Sequence, residues 1–539
     1  MGKYIGIDLG TTFSVTAYIN DDGQAQVINN QEGENITPSA VLFEDGSTIV
    51  GSDAKSSSIL NPERYVAFAK REMGSKRKKF SINGETYSPE EISALILKKL
   101  KHDSEAALGE DVLGAVITVP AYFTDAQRMS TQHAAQLADL PVLAIINEPT
   151  AAALAYGITK GNDEKKTILV YDLGGGTFDV SIMRFDKESI EILSSAGDSR
   201  LGGYDFDQHI INWFSEQAKT QGADINDDMI AQQTLQLEAE RAKKSLSSGR
   251  NKVKITITVL GKPISAELTK QEFENMIRPL IDQSISLLNS ALDEANLEYE
   301  DLNKILLVGG STRIPLVREM IKDETSIDPS MDIHPDEVVA IGAAYHAIER
   351  AKVIHAEQIT HKDEAIGRHQ SSIDDKITLQ RPNIDIASVP EVDTHYTFVD
   401  RTSHGIGVEI WDEDLGISVN SVVLPANSAM PAEGYRDYVT VDDYQTSILL
   451  TIRQGESKEL KYTTVIGETE LSLRPKPKDS PIRVVISCDT DSIIHVHVID
   501  LVDNENLGEM RINRVANMTE DEVQRAKNKL GKLNIEWEK

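Results

Sequence analysis

"YDLGGGTFDVSI" occupies residues 171–182, directly after the apolar run "TILV" (167–170). Three glycines in a row interrupt what otherwise reads as one strand. Glycine weakens a strand, because it loses the most backbone freedom on ordering and packs no side chain. What it offers instead is close approach. A glycine turn lets main-chain N–H groups reach an oxyanion with no Cβ in the way. The same device stands near the start, where "YIGIDLGTTFSVTAYIN" (4–20) again reads strand, Asp, Leu, Gly, Thr, returning strand. Threonine hydroxyls add donors, and an aspartate at a strand end suits a hydrated Mg²⁺ beside phosphate groups. Either copy alone reads equally as an ordinary glycine hairpin. Two copies, with a third glycine turn in "LVGGSTRIP" (307–315), read as two repeated halves gripping phosphates from both sides.

Composition narrows the setting. A chain of 539 residues has room for about three domains. Its formal charge is −31, from 86 acidic and 55 basic residues, which argues against nucleic acid or an anionic membrane as the main partner. Nucleotide binding needs only a few placed groups and stays open. Cys488 is the single cysteine, so an internal disulfide framework and a cysteine-rich zinc site are excluded, and it reads as a small buried hydrophobe. "MGKYIGIDLG" (1–10) lacks the apolar core of a signal peptide, and no stretch approaches the roughly 20 apolar residues of a membrane span, so a cytoplasmic setting is expected.

Along the chain, "SPEEISALILKKLKHDSEAAL" (88–108) predicts a helix: Ser88 and Glu91 form a capping box, Pro89 takes the first helical position, and Ile92, Leu95, Ile96 and Leu100 make an apolar stripe. "DVLGAVITVPAYF" (111–123) predicts a strand and a proline turn, and "ILLVGGSTRIPLVREMI" (305–321) a strand, a glycine turn and a helix. To about residue 350 the order is α/β. Residues 353–396, which include "HKDEAIGRHQSSIDDK", are polar with little period and read as a linker or insertion. From 397 short strands dominate; in "SIIHVHVID" (492–500) Ile494, Val496 and Val498 alternate with His495, His497 and Ile499. "NMTEDEVQRAKNKL" (517–530) predicts a final helix capped by Thr519 with Glu522.

The paired turns, a connecting segment and an adenosine turn resemble the actin, sugar-kinase and heat-shock ATPase superfamily. "AVITVPAYFTDAQR" (115–128), "INEPTAAALAYG" (146–157), "LGGYDFD" (201–207), "ERAKKSLSS" (240–248) and "HPDEVVAIGAAYHA" (334–347) narrow the resemblance to the DnaK branch, the seventy-kilodalton heat-shock chaperones. It covers almost all of residues 3–350 and, more weakly, 397–515. It implies a two-lobed actin-like ATPase domain (1–352), the linker (353–396), a β-sandwich peptide-binding domain (397–516) and a remnant of a helical lid (517–539). It also implies ATP hydrolysis to ADP and phosphate. Asp8 and Asp172 match acidic residues around Mg²⁺; Gly10, Thr11, Thr12, Gly174, Gly175, Gly176, Thr177, Gly202 and Gly203 match the phosphate cradle. Lys70 matches the lysine that orients the attacking water, and Glu148 and Asp179 match further polar residues of the hydrolytic site. Glu240, Lys243 and Ser247 match one side of the adenosine pocket; Gly309, Gly310, Ser311 and Arg313 match the other, with Asp336 nearby. Without the resemblance Lys70 reads as a solvated lysine and Glu148 as a turn residue before Pro149. In the β domain Val408, Trp411, Tyr438, Val441, Ile448 and Leu450 align with groove-lining positions, and they read equally as sandwich core.

Three departures stand out. The helical lid is nearly absent. The linker's leucine run is replaced by "HYTFVD" (395–400), whose Phe398 and Val399 supply about half the usual apolar surface, so weak coupling between the domains is expected. His404 and Gly405 stand where the family is apolar and small polar. The resemblance thus implies an ATP-dependent chaperone for extended polypeptide segments, with a J-domain co-chaperone and a nucleotide exchange factor as possible partners. Two rivals are a nucleotide-binding relative that serves one dedicated partner or acts as an exchange factor, and a small-molecule kinase. The kinase is disfavoured because nothing suggests a sugar pocket and the β domain would have no purpose.

Overall fold

The computed structural model of the chain describes residues 2–536 apart from 76, 161–164, 187–188, 333, 366–383, 385, 393–396, 400, 413–414, 490–492 and 513–517. Two lobes are built on sheets of the same plan. In lobe I the strand order is Val142–Asn147, Val112–Val119, Lys3–Asp8, Phe13–Ile19, Ala25–Ile28; in lobe II it is Lys304–Val308, Lys166–Leu173, Phe178–Asp186, Ser189–Asp198, Thr397–Val399. Each sheet centres on the glycine hairpin singled out in the sequence: Lys3–Asp8 runs antiparallel to Phe13–Ile19, as Lys166–Leu173 does to Phe178–Asp186. On its other side each first strand takes a parallel partner, Val112–Val119 or Lys304–Val308. Helices Glu148–Lys160 and Val338–Ala365 share one core with both sheets. Their approach is close enough that a Cβ on Gly342 would lie 1.7 Å from the Ala151 carbonyl oxygen.

The helix Pro89–Leu108 begins as expected. The Ser88 side chain accepts from the Glu91 amide at 3.3 Å, and Glu91 returns a bond from the Ser88 amide at 2.7 Å. Strands 406–412, 417–424, 445–454 and 464–476 form one sheet of the β sandwich, and 432–439, 481–488, 494–500 and 505–511 the other. The alternation in "IHVHVID" is realised: Ile494, Val496 and Val498 face the sandwich core with Cys488, while His495 and His497 are half-buried on the opposite face. Among the described residues no helix is long and apolar enough to cross a membrane.

Three boundaries differ from expectation. Residues 353–365, expected in the linker, continue the helix Val338–Ala365. Its apolar positions Ala347, Ile348, Ala351 and Ile354 keep helical spacing past residue 352 and are buried. Farther on, Ile384 is buried in the same core and Val389 and Val392 pack against it; the polar stretch 366–376 lies outside the described residues. Next, Thr397–Val399 belongs to lobe II and not to the sandwich. It pairs in parallel with Ser189, Ile190 and Glu191 at the sheet edge, so the segment docks through its main chain.

The third difference concerns the final helix, Glu520–Leu530, which carries the expected Thr519–Glu522 capping box. Its place is lobe I, not the β domain. Val523, Ala526, Leu530 and Ile535 are buried with Ile92, Leu95 and Val41. Asn534–Ile535 adds a parallel strand to Ser47–Val50. Lys529 reaches the Thr86 carbonyl oxygen at 2.8 Å and sits 4.2 Å from the Tyr87 ring, and Lys527 pairs with Asp139 at 2.6 Å. The helix and its cap were legible in the sequence; the face at Val523, Ala526 and Leu530 and what it covers were not.

Candidate functional site

The two glycine turns face each other across the cleft between the lobes. A Cβ on Gly175 would lie 2.1 Å from the Thr12 hydroxyl oxygen, and one on Gly176 would lie 2.6 Å from a Thr11 methyl. No residue with a side chain fits there, which answers what the glycines replace strand stability with. The Gly202–Gly203 turn closes the cradle: the amides of Gly203 and Tyr204 donate to the Gly174 and Gly175 carbonyl oxygens at 3.0 and 2.7 Å. Gly10, Gly174 and Thr177 complete the turns themselves, the Gly174 amide bonding the Thr177 carbonyl oxygen at 3.0 Å.

Beneath the cradle lie four acids and one base. Lys70 and Glu148 are both buried and pair at 2.5 Å. The Asp179 carboxylate accepts from the Tyr122 amide at 3.0 Å, and Asp8 accepts from the Thr118 hydroxyl at 3.2 Å. Burial first, and then the neighbouring Glu148 carboxylate, push Asp8 and Asp179 up to about 7. The same two causes, with Asp179 and Asp8 added, raise Asp172 well above the usual carboxylate range. One lysine does not balance Asp8, Glu148, Asp172 and Asp179, so the site favours added positive charge. The donor set, carboxylate oxygens next to a cradle of amides, is that of a hydrated hard cation beside phosphate.

The adenosine-side residues also converge. A Cβ on Gly203 would lie 2.7 Å from Ser311 Oγ and 3.0 Å from Lys243 Nζ, and Ser311 donates to the Gly174 carbonyl oxygen at 2.8 Å. Lys243 bonds Asp207 and the Gly203 carbonyl oxygen, both at 2.8 Å. Burial raises the Asp207 carboxyl, Lys243 opposes this, and the balance lies at about 6. Burial raises Glu240 too, yet Lys55 and Lys244 beside it bring it down to about 2. The Ser247 hydroxyl bonds back to the Lys243 carbonyl oxygen at 2.8 Å. Arg313 pairs with Asp336 at 2.6 Å, and Gly310 lies over Asp336. Gly309 takes φ 81°, open to glycine, where a Cβ would meet the Leu173 carbonyl oxygen at 2.5 Å. The matched residues of the two glycine turns thus meet between the lobes, and Gly203, Lys243 and Ser311 close beside them.

The groove candidates divide. Val408 and Leu450 are buried in the sandwich core, and Tyr438 and Ile448 pack against it. Trp411 and Val441 are exposed, 58% and 51%. Leu415, Ile417, Val439, Tyr444 and Leu449 are more than half exposed as well. The sequence reading missed these five; the runs "DEDLGIS" and "VTVDDYQ" place four of them at or beside turns, where apolar side chains have little to pack on, and Leu449 lies exposed within strand Gln445–Gln454. It also missed the contacts that join the β domain to the ATPase lobes. Arg401 donates to the Ile192 and Asn427 carbonyl oxygens and pairs with Glu191 at 3.0 Å. Arg128 donates to Asn147 at 2.5 Å and to Ser403 at 3.3 Å, and His404 Nε2 donates to the Tyr122 carbonyl oxygen at 3.2 Å. Tyr122 and Asn147 are thus one step from Asp179 and Glu148. No periodicity marks such residues, because their partners lie hundreds of positions away.

The Hsp70 protein family model matches residues 4–82, 76–360 and 393–537. The chain is 39% identical over 531 residues to the chaperone protein DnaK of Thermotoga petrophila and to that of Thermotoga maritima, covering 97% of this chain and 82% of each relative. It is 40% identical over 507 residues to chaperone protein DnaK of Thermotoga neapolitana, 92% of this chain and 78% of the relative. With a family model spanning both the cleft and the β sandwich, the chain belongs to the Hsp70 family of ATP-hydrolysing molecular chaperones.

Proposed function

We propose that the cleft hydrolyses ATP with the residues just described and that the β domain holds extended polypeptide segments whose affinity the nucleotide controls. The observation that carries the first part is the mutual approach of the two glycine turns, 2.1 Å from a virtual Cβ on Gly175 to Thr12, above the Lys70–Glu148 pair. Amides and hydroxyls of Gly10–Thr12 and Gly174–Thr177 bind the phosphates from both lobes. Asp8 and Asp172 are the residues that would hold a Mg²⁺ ion, which would supply positive charge against the phosphates. Lys70 orients the attacking water and stabilises charge on the γ-phosphoryl group. The water oxygen bonds phosphorus as the β–γ bridging oxygen leaves with its electron pair. The water proton passes to the carboxylate of Asp179 or of Glu148. Transfer to water needs positioning and charge balance more than covalent chemistry, and these residues supply both. Glu240, Lys243 and Ser247 on one side, with Gly309, Gly310, Ser311, Arg313 and Asp336 on the other, hold the adenosine.

In the β domain the exposed apolar residues Trp411, Val441, Tyr444 and Leu449 support capture of an extended chain by main-chain bonds and apolar contacts. Val408 and Leu450 serve as the floor of that sheet. A J-domain co-chaperone and a nucleotide exchange factor, in a cytoplasmic setting, belong to the same reading. The test is ATP turnover with and without an unfolded polypeptide, together with titration of a fluorescent peptide. Phosphate release without any added acceptor, raised by polypeptide, is the expected result. An ATPase blind to polypeptide, with no peptide binding in either nucleotide state, would overturn the assignment of the β domain.

A further inference from the structure

Phe68 stands two residues before Lys70 with φ 61°. For a bulky residue the left-handed region is an outlier that persists only where its surroundings enforce it. Phe68 caps the short turn Ala69–Glu72, which carries Lys70. What holds it comes from the other lobe. Its ring packs on Tyr204 with centroids 4.6 Å apart and planes tilted by 59°. Tyr204 lies in the first turn of helix Gly203–Thr220 and is pinned to the phosphate cradle by its amide, which donates to the Gly175 carbonyl oxygen at 2.7 Å. On the far side of the catalytic lysine, Arg71 lies 4.6 Å over the same Tyr204 ring and makes two bonds to Asp205, at 3.1 and 3.0 Å. Residues 68 and 71 of lobe I are therefore clamped by residues 204 and 205 of lobe II, with Lys70 between them.

We propose that Tyr204 is a positioning residue for ATP hydrolysis: through Phe68 it sets the turn that aims Lys70, so that Lys70 is aligned only when the two lobes are closed on each other. The proposal rests on the reading of Lys70 as the lysine that acts on the γ-phosphoryl group. Opening the cleft removes the ring under Phe68, its backbone relaxes out of the left-handed region, and the lysine two residues on loses its aim. The Tyr204 hydroxyl makes no hydrogen bond among the described residues, so the ring face is what matters.

The test is single-turnover hydrolysis of prebound MgATP beside ATP affinity by titration. Tyr204→Ala should slow hydrolysis on the order of 10- to 100-fold, the cost of misplacing a catalytic group by about an ångström, while ATP affinity stays within about three-fold. Tyr204→Phe should restore the wild-type rate. Phe68→Gly keeps the positive φ available without enforcing it and should slow hydrolysis similarly. The double variant should be no slower than Tyr204→Ala, which already removes the Phe68 contact together with that of Arg71. Wild-type hydrolysis by Tyr204→Ala, equal losses in affinity and rate, or additive effects in the double variant would each overturn the proposal. Lys70→Ala separates it from the reading beneath it: normal hydrolysis by Lys70→Ala removes Lys70 from the mechanism, whereas a slow Lys70→Ala beside a fast Tyr204→Ala removes only Tyr204.

Discussion

Replacing Arg401 by alanine tests what ties the β domain to the ATPase. The segment Thr397–Val399 contributes only three residues to the lobe II sheet, and Arg401 follows directly. Its guanidinium bonds the Ile192 carbonyl oxygen and the Glu191 carboxylate on the ATPase side, and the Asn427 carbonyl oxygen on the β-domain side. The Asn427 bond aims the group; the other two cross between domains. A bond from a charged donor to a carbonyl contributes about 1.5–3 kcal/mol. The Glu191 pair adds less than about 1, because both side chains are partly exposed, 23% and 35%. With the exposure discounted, Arg401→Ala should weaken docking by about 2 kcal/mol, or roughly 30-fold. The assay is hydrogen exchange at the amides of 397–399 with ATP bound, in a Lys70→Ala background that arrests turnover. Protection should fall by that factor, and Arg401→Lys should recover less than half of the loss in free energy, since a single ammonium cannot span all three acceptors. A change below about three-fold would refute the reasoning and assign docking to the strand ladder alone.

Other outcomes follow from the same structure. Lys70→Ala should leave MgATP affinity nearly unchanged and slow single-turnover hydrolysis by about 10²-fold, the loss of one preorganised group; wild-type turnover by the variant excludes Lys70. His404 is buried against Tyr122 at the domain junction, with Glu456, Arg128 and Asp125 around it, and burial lowers its pKa below the ordinary 6.5 despite Glu456 and the Tyr122 bond. The docked state therefore holds the neutral ring, and its contribution to docking is complete above about pH 6.5 and lost as pH falls toward the lowered value. A fluorophore pair spanning lobe I and the β domain should separate between pH 7.5 and 5.5, and His404→Leu should flatten that response; an unaltered response in the leucine variant sinks the idea. Leu530→Ala should cost about 2–4 kcal/mol of tail docking, because the side chain is 1% exposed in the lobe I core. Faster hydrogen exchange across 523–531 reports it, and unchanged exchange counts against the packing described.

The sequence was most informative where chemistry is local. The two Asp-Leu-Gly turns, the capping boxes at Ser88 and Thr519 and the alternation at 494–498 each depend on neighbours a few positions apart, and each appears as expected. The phosphate turns were legible because the Asp-Leu-Gly device occurs twice with a third glycine turn, whereas Lys70 and Glu148 were named only through the family resemblance. Placement between domains was not. Nothing local says that Thr397–Val399 joins lobe II, that Leu530 belongs with Leu95, or that Val408 is covered while Trp411 is open. Those outcomes depend on partners up to several hundred residues distant. The same holds for Tyr204, which in "LGGYDFD" gives no sign of its contact with Phe68.

The tail in lobe I also sets an order of events in time. The six-stranded sheet of that lobe is encoded by residue 147, yet its apolar core is closed by Val523, Leu530 and Ile535. Some 383 residues separate Asn147 from Leu530. At about 5–20 residues per second, a nascent lobe I waits roughly 20–80 s on the ribosome with that apolar surface uncovered. In this chain the first part to be synthesised is thus the last to be completed, and the newborn chaperone presents, for that interval, the kind of surface that chaperones bind.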